Sequence, residues 1–132
     1  MNLLPGTIQS IHTHGNLSLV TIGVGDILLK SIIIEKAGSV SYLKVGYPVK
    51  VLFKESEVVI GKSDPLLVSM QNRIPVIIRR IEVGVLMSRL VLESRTGDIT
   101  SIITSDAVRQ LDLRPGDPVT AMIKTNEIML SE

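Results

Sequence analysis

Residues 111–130, LDLRPGDPVTAMIKTNEIML, combine the features that decide the fold of this chain. Apolar residues lead into a Pro-Gly-Asp-Pro segment that favours a turn, because Pro and Gly readily adopt the backbone angles of tight turns. An alternating strand then runs to Lys124, and a second short apolar strand ends the segment. The same design occurs in residues 42–60, YLKVGYPVKVLFKESEVVI, with Lys54 at the position of Lys124. The sequence therefore uses one unit twice.

The two units are related by a constant offset of 70 residues, without a gap over most of the chain. Matches at one fixed offset indicate duplication, because chance similarity drifts in register. The break between the units falls near residues 61–67, where Ser, Asp and Pro interrupt the strand pattern. We therefore predict two repeats, at residues 1–64 and 67–132. The matching pairs include Asn2 and Asn72, Pro5 and Pro75, Ser31 and Ser101, Gly46 and Gly116, and Lys54 and Lys124.

The composition favours β structure and association. Ile, Val and Leu far outnumber the aromatic residues, which are one Phe and two Tyr, and branched side chains pack well on pleated sheets. A repeat of about 65 residues buries only about 60% of its unfolded surface, so its stability alone is marginal. We therefore expect the repeats to associate.

Charge, cysteine content and the start of the chain narrow the functional classes. The formal net charge is +1 and no basic block is present, whereas nucleic-acid-binding domains concentrate Lys and Arg on one face. Without cysteine the chain has no disulfide, thiolate ligand or thiol nucleophile, which fits an intracellular protein. No segment reaches the ~18 apolar residues of a membrane helix, and the first residues do not resemble a signal peptide. We expect a cytoplasmic protein that binds neither nucleic acid nor a membrane.

Strand and turn signals give the same order of elements in both repeats. The expected elements of the first repeat are strands at residues 6–13, 17–22 and 27–34 and one or two helical turns at 35–42. The helix of the second repeat has a better-marked start, because Thr104-Ser105-Asp106 supplies a candidate N-cap and an acidic first turn. Two further strands follow in each repeat. We therefore predict an all-β chain of tandem OB-like five-stranded β-barrels, each with one short helix.

Both repeats resemble the molbindin, or Mop, domain of the TOBE group. The most specific match is residues 113–124, LRPGDPVTAMIK, which follow Ile102-Ile103-Thr104 and the short helix. Ser69-Met70-Gln71-Asn72 resembles the Ser-x-Arg-Asn opening of the family, and the first repeat follows the pattern more loosely. The resemblance covers essentially the whole chain, which is similar to a two-repeat molbindin.

This resemblance implies storage or homeostasis of molybdate or tungstate, with no organic cofactor and no protein-bound metal. It also implies a ring of six repeats, hence a homotrimer with oxyanions held between repeats and subunits. A tetrahedral dianion needs donors from several segments, and backbone N–H groups, hydroxyls and a cation can supply them. The ligand residues that the resemblance suggests are Ser69, Gln71, Asn72, Arg73, Thr104, Ser105, Lys124, Thr125 and, in the first repeat, Lys54.

Several positions depart from the family pattern. Gln71 stands where the family often has arginine, with Arg73 as a candidate substitute. In the first repeat Glu55 follows Lys54 and puts a negative charge where an anion would bind, and Ile34 replaces the threonine. A second hypothesis is therefore an oligomerisation or regulatory module with degenerate anion sites. A third, single-stranded nucleic-acid binding by an OB barrel, needs stacking aromatic residues that this composition lacks.

Structural interpretations of the same residues stay open. Ser69 and Asn72 could cap a strand or turn, and Thr104 and Ser105 could serve only as the helix cap. His12 and His14 share one face of a strand, but without further His or Cys we favour a solvent-facing role over a metal site. The sequence offers no cysteine nucleophile, no Ser-His-Asp motif and no paired carboxylates, so we predict that the chain is not an enzyme.

Overall fold

The computed structural model describes residues 1–63 and 67–132, which form ten strands, one α-helix and two 3₁₀ helices. The elements of the first half are β1 (Asn2–His14), β2 (Leu17–Val24), β3 (Ile27–Ile33), β4 (Pro48–Phe53), the first 3₁₀ helix (Glu55–Glu57) and β5 (Val59–Gly61). Those of the second half are β6 (Asn72–Val83), β7 (Met87–Ser94), β8 (Gly97–Thr104), α1 (Ser105–Gln110), β9 (Pro118–Ile123), the second 3₁₀ helix (Thr125–Glu127) and β10 (Met129–Ser131).

The strands form two antiparallel five-stranded sheets, in the orders β10-β4-β1-β2-β3 and β5-β9-β6-β7-β8. The long strands β1 and β6 each pair with one neighbour over their first half and with another over their second half. An irregularity between Ile8 and Ser10 in β1, and between Ile78 and Arg80 in β6, marks the change of partner. Bulges of this kind bend a strand and help a sheet to curve into a barrel. The predicted all-β, OB-like architecture is confirmed.

The fifth strand of each sheet comes from the other sequence repeat. Strand β10 pairs with β4, with Met129 opposite Leu52, while β5 pairs with β9, with Val59 opposite Met122. The bounds 1–64 and 67–132 stay a prediction about the duplicated unit, because the sheets combine strands of both halves. The exchange interlocks the two barrels and covers strand edges that would otherwise be exposed.

Hydrogen bonds at equivalent positions of the two repeats reinforce this interlocking. Ser31 Oγ donates to Ile128 O and Ser101 Oγ donates to Val58 O, both at 2.8 Å. Each bond joins the third strand of one repeat to the residue that leads into the exchanged strand of the other. The two serines are fully buried, and a buried hydroxyl is stable only when it has such a partner.

The core consists of aliphatic side chains from both repeats. Alternate residues of β2 point inward, as expected for a strand with one buried face, and Phe53 is the largest buried side chain. Further fully buried members are Leu4, Ile8, Ile22, Leu29, Leu43, Ile74, Ile78, Leu90, Leu92, Ile99 and Ile123.

The two repeats differ in the segment between the third and fourth strands. In the second repeat α1 forms and Thr104 is its N-cap, because Thr104 Oγ1 accepts a hydrogen bond from Ala107 N at 3.1 Å. The helical turns expected at residues 35–42 are wrong, since this segment consists of turns and bends. Ile34 cannot cap a helix as Thr104 does. Gly38 also lies at φ +80°, outside the helical region.

Candidate anion-binding site

Lys124 ends β9 and leads into the second 3₁₀ helix. Its backbone is extended, and its carbonyl oxygen accepts from Glu127 N at 3.0 Å. The side chain is exposed, and within residues 1–63 and 67–132 its ammonium group has no hydrogen bond or ion pair. Lys54 has the same arrangement before the first 3₁₀ helix, where its carbonyl accepts from Glu57 N at 3.0 Å. Both lysines are therefore held at the main chain, and both side chains are exposed.

The register of β6 and β9 brings the opening of the second repeat beside Lys124. Asn72 pairs with Ile123, so the next positions outward, Gln71 and Lys124, face each other across the strand ends. Thr125 follows, and both Gln71 and Ser69 are exposed on this side. The register thus brings Gln71 close to Lys124 and Thr125, and Ser69 lies two residues before Gln71 on the same segment.

Arg73 positions the segment that carries Ser69. Its Nε donates to Met70 O at 2.9 Å and its Nη2 donates to Val68 O at 2.7 Å. A guanidinium group has a planar fork of donors, and here the fork holds the carbonyl groups on either side of Ser69. Arg73 therefore fixes the main-chain segment that leads to Gln71.

Two other predicted residues use their polar atoms inside the protein. Asn72 is fully buried, and its amide bonds to both the N and the O of Lys30. Ser105 is also buried, and its Oγ bonds to Ser88 Oγ at 2.8 Å and Gly84 O at 2.7 Å. In the structure both side chains hold backbone and side-chain groups in place, so their role as direct ligands stays a prediction.

Thr104 lies far from Lys124 within one chain. Thr104 pairs with Met87 at the end where β6 turns into β7, whereas Lys124 lies at the start of β6. Strand β6 has 12 residues, so opposite ends of it lie far apart even in a curved sheet. The sequence predicted Thr104 and Lys124 as ligands within the second repeat, whereas the fold places them far apart in one chain.

The 3₁₀ helix that follows each lysine packs against the third strand of the other repeat. The first 3₁₀ helix packs against β8, and Glu55 Oε2 lies 3.6 Å from Nε of Arg89 on β7. Arg89 Nη1 also donates to Glu82 Oε2 at 2.9 Å, and this bond lowers the pKa of Glu82, with Arg80 contributing in the same direction. An ion-pair network therefore includes Glu55, the residue that follows Lys54.

Sequence reasoning missed Arg89, and one signal could have found it. At the equivalent position of the first repeat stands Leu19, so a charged residue replaces an apolar one at a fixed offset. Such a replacement on an otherwise matching strand indicates that only one repeat needs the charge. Identifying its partner, Glu55, requires the fold, because 34 residues separate them in sequence.

An exposed apolar hairpin lies next to Thr104. Between β6 and β7, Val85 is 92% exposed and Leu86 is 78% exposed, while Leu86 O accepts from Ser105 N at 2.8 Å. The corresponding turn of the first repeat is the polar Gly15-Asn16. Adjacent exposed apolar side chains of this kind mark surfaces that contact a partner.

One cavity lies away from Lys124, and few of the predicted ligand residues line it. It measures about 740 Å³ and lies along β6, β9 and the end of β7. Arg73 is the one predicted ligand residue in its described lining. The candidate anion site is therefore an open surface at the strand ends.

The described part of the chain contains neither a candidate metal site nor a membrane-spanning helix. There, no group of three or more His, Cys, Asp or Glu is placed to hold a metal ion, and His12 and His14 are both exposed on β1. Among the same residues, no helix is long and apolar enough to cross a membrane.

Comparison with known proteins relates this geometry to one family. Residues 68–130 match the family model of the TOBE domain. Molybdenum-pterin-binding proteins 1 and 2 of Clostridium pasteurianum are 34% and 33% identical over 64 residues, which cover 48% of this chain and 94% of each relative. The fold matches a crystal structure of the cytoplasmic molybdate-binding protein ModG, with molybdate bound, at a TM-score of 0.91 and 26% identity. That match covers 98% of this chain and 94% of ModG.

Proposed function

This chain belongs to the TOBE-domain family as a two-repeat molbindin, and we propose that it binds molybdate in the cytoplasm. The observation that carries the proposal is the likeness to ModG over 98% of the chain, since ModG was crystallised with molybdate. The proposed role is storage or homeostasis of molybdate or tungstate, without catalysis and without an organic cofactor.

The proposed ligand groups lie where β6 begins and β9 ends. Lys124 supplies the cation, and Ser69, Gln71 and the backbone N–H of Thr125 supply neutral donors around it. A charge-assisted hydrogen bond to a dianion is roughly twice as strong as a neutral one, so Lys124 contributes most. In this proposal Arg73 and Asn72 act by positioning the segment around Ser69 and Gln71.

A second copy of the chain completes the site in this proposal. One chain holds Lys124 and Thr104 at opposite ends of β6, so a shared site needs Thr104 from a neighbouring subunit. The exposed Val85 and Leu86 lie beside Thr104 and provide apolar area for that contact. We therefore propose a homotrimer, a ring of six repeats, with oxyanions held between subunits.

Calorimetric titration with molybdate, tungstate and sulfate, combined with light-scattering mass, tests the proposal. We expect heat with molybdate and a mass three times the 14.4 kDa of the chain. Leu86→Asp should reduce both the mass and the affinity, because it places a charge in the proposed contact, whereas Asn16→Asp in the polar turn is the matched control. A well-folded trimer that gives no heat with any oxyanion would contradict molybdate binding.

A second candidate function is an oligomerisation module whose anion sites are degenerate. The observation in its favour is Glu55, the residue after Lys54, whose carboxylate already pairs with Arg89. This candidate predicts a trimer of unchanged mass that ignores all three oxyanions. The same titration therefore separates the two functions.

A further inference from the structure

We infer that the carboxylate of Glu55 occupies the first repeat's anion site from within, and that Arg89 of the second repeat holds it there. The inference rests on the proposed function, because it concerns which of two equivalent lysines receives an external oxyanion. It assigns Glu55 as an internal competitor and Arg89 as the cation for which the carboxylate and an oxyanion compete.

The carboxylate of Glu55 lies close to two cations. Glu55 Oε2 lies 3.6 Å from Arg89 Nε, and Oε1 lies 3.1 Å from the α-amino group of Met1. The side chain is 27% exposed, although it lies one residue after the exposed Lys54 on a surface turn. The carboxylate therefore points toward these two cations, and about a quarter of its side chain stays exposed.

The equivalent positions of the other site have neither the carboxylate nor the guanidinium. At the offset of 70 residues, Thr125 corresponds to Glu55, and Leu19 corresponds to Arg89. Carboxylate and guanidinium are therefore both present at one site and both replaced at the other. Because the strand order is the same in both sheets, the pair is not needed for that arrangement.

A carboxylate and an oxyanion can bind the same guanidinium group. The two oxygens of a carboxylate match the donor fork of a guanidinium, as two oxygens of a tetrahedral oxyanion also do. An attached competitor has an effective concentration in the millimolar range or above, so a free anion must exceed it to displace the carboxylate. A dianion is repelled as well by the negative charge of Glu55. The Lys54 site is therefore closed to oxyanions, and the Lys124 site is open.

The test is the number of molybdate ions bound per chain, measured by calorimetry and by equilibrium dialysis on the full chain. Glu55→Thr copies Thr125 and should add a class of sites absent from the wild-type protein. Adding Arg89→Leu, which copies Leu19, should keep the added sites and lower their affinity toward that of the Lys124 site, because the guanidinium is lost while both residues of the open site are reproduced. Glu57→Gln on the same 3₁₀ helix is the control, since it removes one negative charge without touching Arg89, and it should leave the number unchanged.

The outcomes separate this inference from the proposed function. If wild-type protein binds molybdate and Glu55→Thr binds no more, the inference is wrong and the proposed function stands. If Glu57→Gln gives the same increase, a general charge effect explains it and the inference is again wrong. If neither the wild-type protein nor any variant binds molybdate, both the inference and the proposed function are wrong. Glu55→Gln keeps the side-chain length, so it repeats the test should Glu55→Thr fold poorly.

Discussion

The side-chain amide of Asn72 spans the backbone of Lys30 in the other repeat. Asn72 Nδ2 donates to Lys30 O at 2.8 Å, and Asn72 Oδ1 accepts from Lys30 N at 2.6 Å. Asn2 holds Thr100 in the same way, at 2.9 Å and 2.8 Å. An amide presents a donor and an acceptor side by side, as a strand does, so each asparagine extends one barrel's hydrogen bonding onto the other. These pairs connect the two lysine-bearing strand ends to the opposite repeat.

Asn72→Ala should lower the free energy of unfolding by about 2–3 kcal/mol. Two backbone groups of Lys30 lose their partners, and each unsatisfied buried group costs about 1–3 kcal/mol. Water that enters the space left by the side chain offsets part of this cost. Urea denaturation of the full chain measures the change. Gln71→Ala, at the exposed neighbouring position, should change stability by less than about 0.5 kcal/mol. Equal losses from both variants would contradict the role of the amide.

Residues 67–132 alone should form a dimer. In that fragment β9 lacks β5 and β10 lacks β4, and two copies can satisfy both by exchanging β10 onto β9, as the repeats do within one chain. Light scattering should give twice the fragment mass. Removing residues 128–132 deletes the exchanged strand and the buried Ile128, and should leave aggregated or unfolded material. A stable, well-folded monomer of either fragment would show that the exchange is dispensable.

Lys124→Ala and Lys54→Ala should affect oxyanion binding unequally. A hydrogen bond to a charged group contributes about 1.5–3 kcal/mol, so losing Lys124 should weaken molybdate binding about tenfold or more. Lys54→Ala should change the affinity by less than about twofold, because Glu55 and Arg89 already face each other there. Titration calorimetry of both variants measures the difference. Equal losses would show that the two repeats bind alike.

Glu82 should titrate at lower pH than an ordinary glutamate. Its pKa lies below the usual 4.5, first because Arg89 donates a hydrogen bond to it and also because Arg80 does. The folded-state pKa is depressed, so the ion pair's contribution to stability is complete above about pH 4.5 and is lost as the pH falls through the lower folded value. NMR titration of the Glu82 carboxyl carbon measures this. Arg89→Leu should raise its pKa, whereas Arg95→Leu, which removes a distant ion pair with Asp26, should leave it unchanged.

Local signals in the sequence predicted the elements that form from neighbouring residues. Thr104 is the N-cap that its position before Asp106 and Ala107 predicted, and Pro118 begins a strand after the turn at Gly116, which has φ +94°. The error at residues 35–42 has a local cause as well. The prediction of a helix there relied on the helical spacing of the apolar residues and gave too little weight to Gly38 and to the missing N-cap. In the structure Gly38 has a positive φ, and no helix forms.

The sequence by itself determined the duplication, the β-barrel class and the lysine at the end of each repeat's fourth strand, because these depend on residue type and spacing along the chain. Only the tertiary structure decided which residues meet. Strands β5 and β10 pair across the repeats, Glu55 of the first repeat pairs with Arg89 of the second, and Lys124 lies far from Thr104. Two equivalent strands fit either barrel equally well by hydrophobic pattern. The choice between pairing within and across repeats therefore depends on the path of the connecting chain, which local residue patterns do not encode.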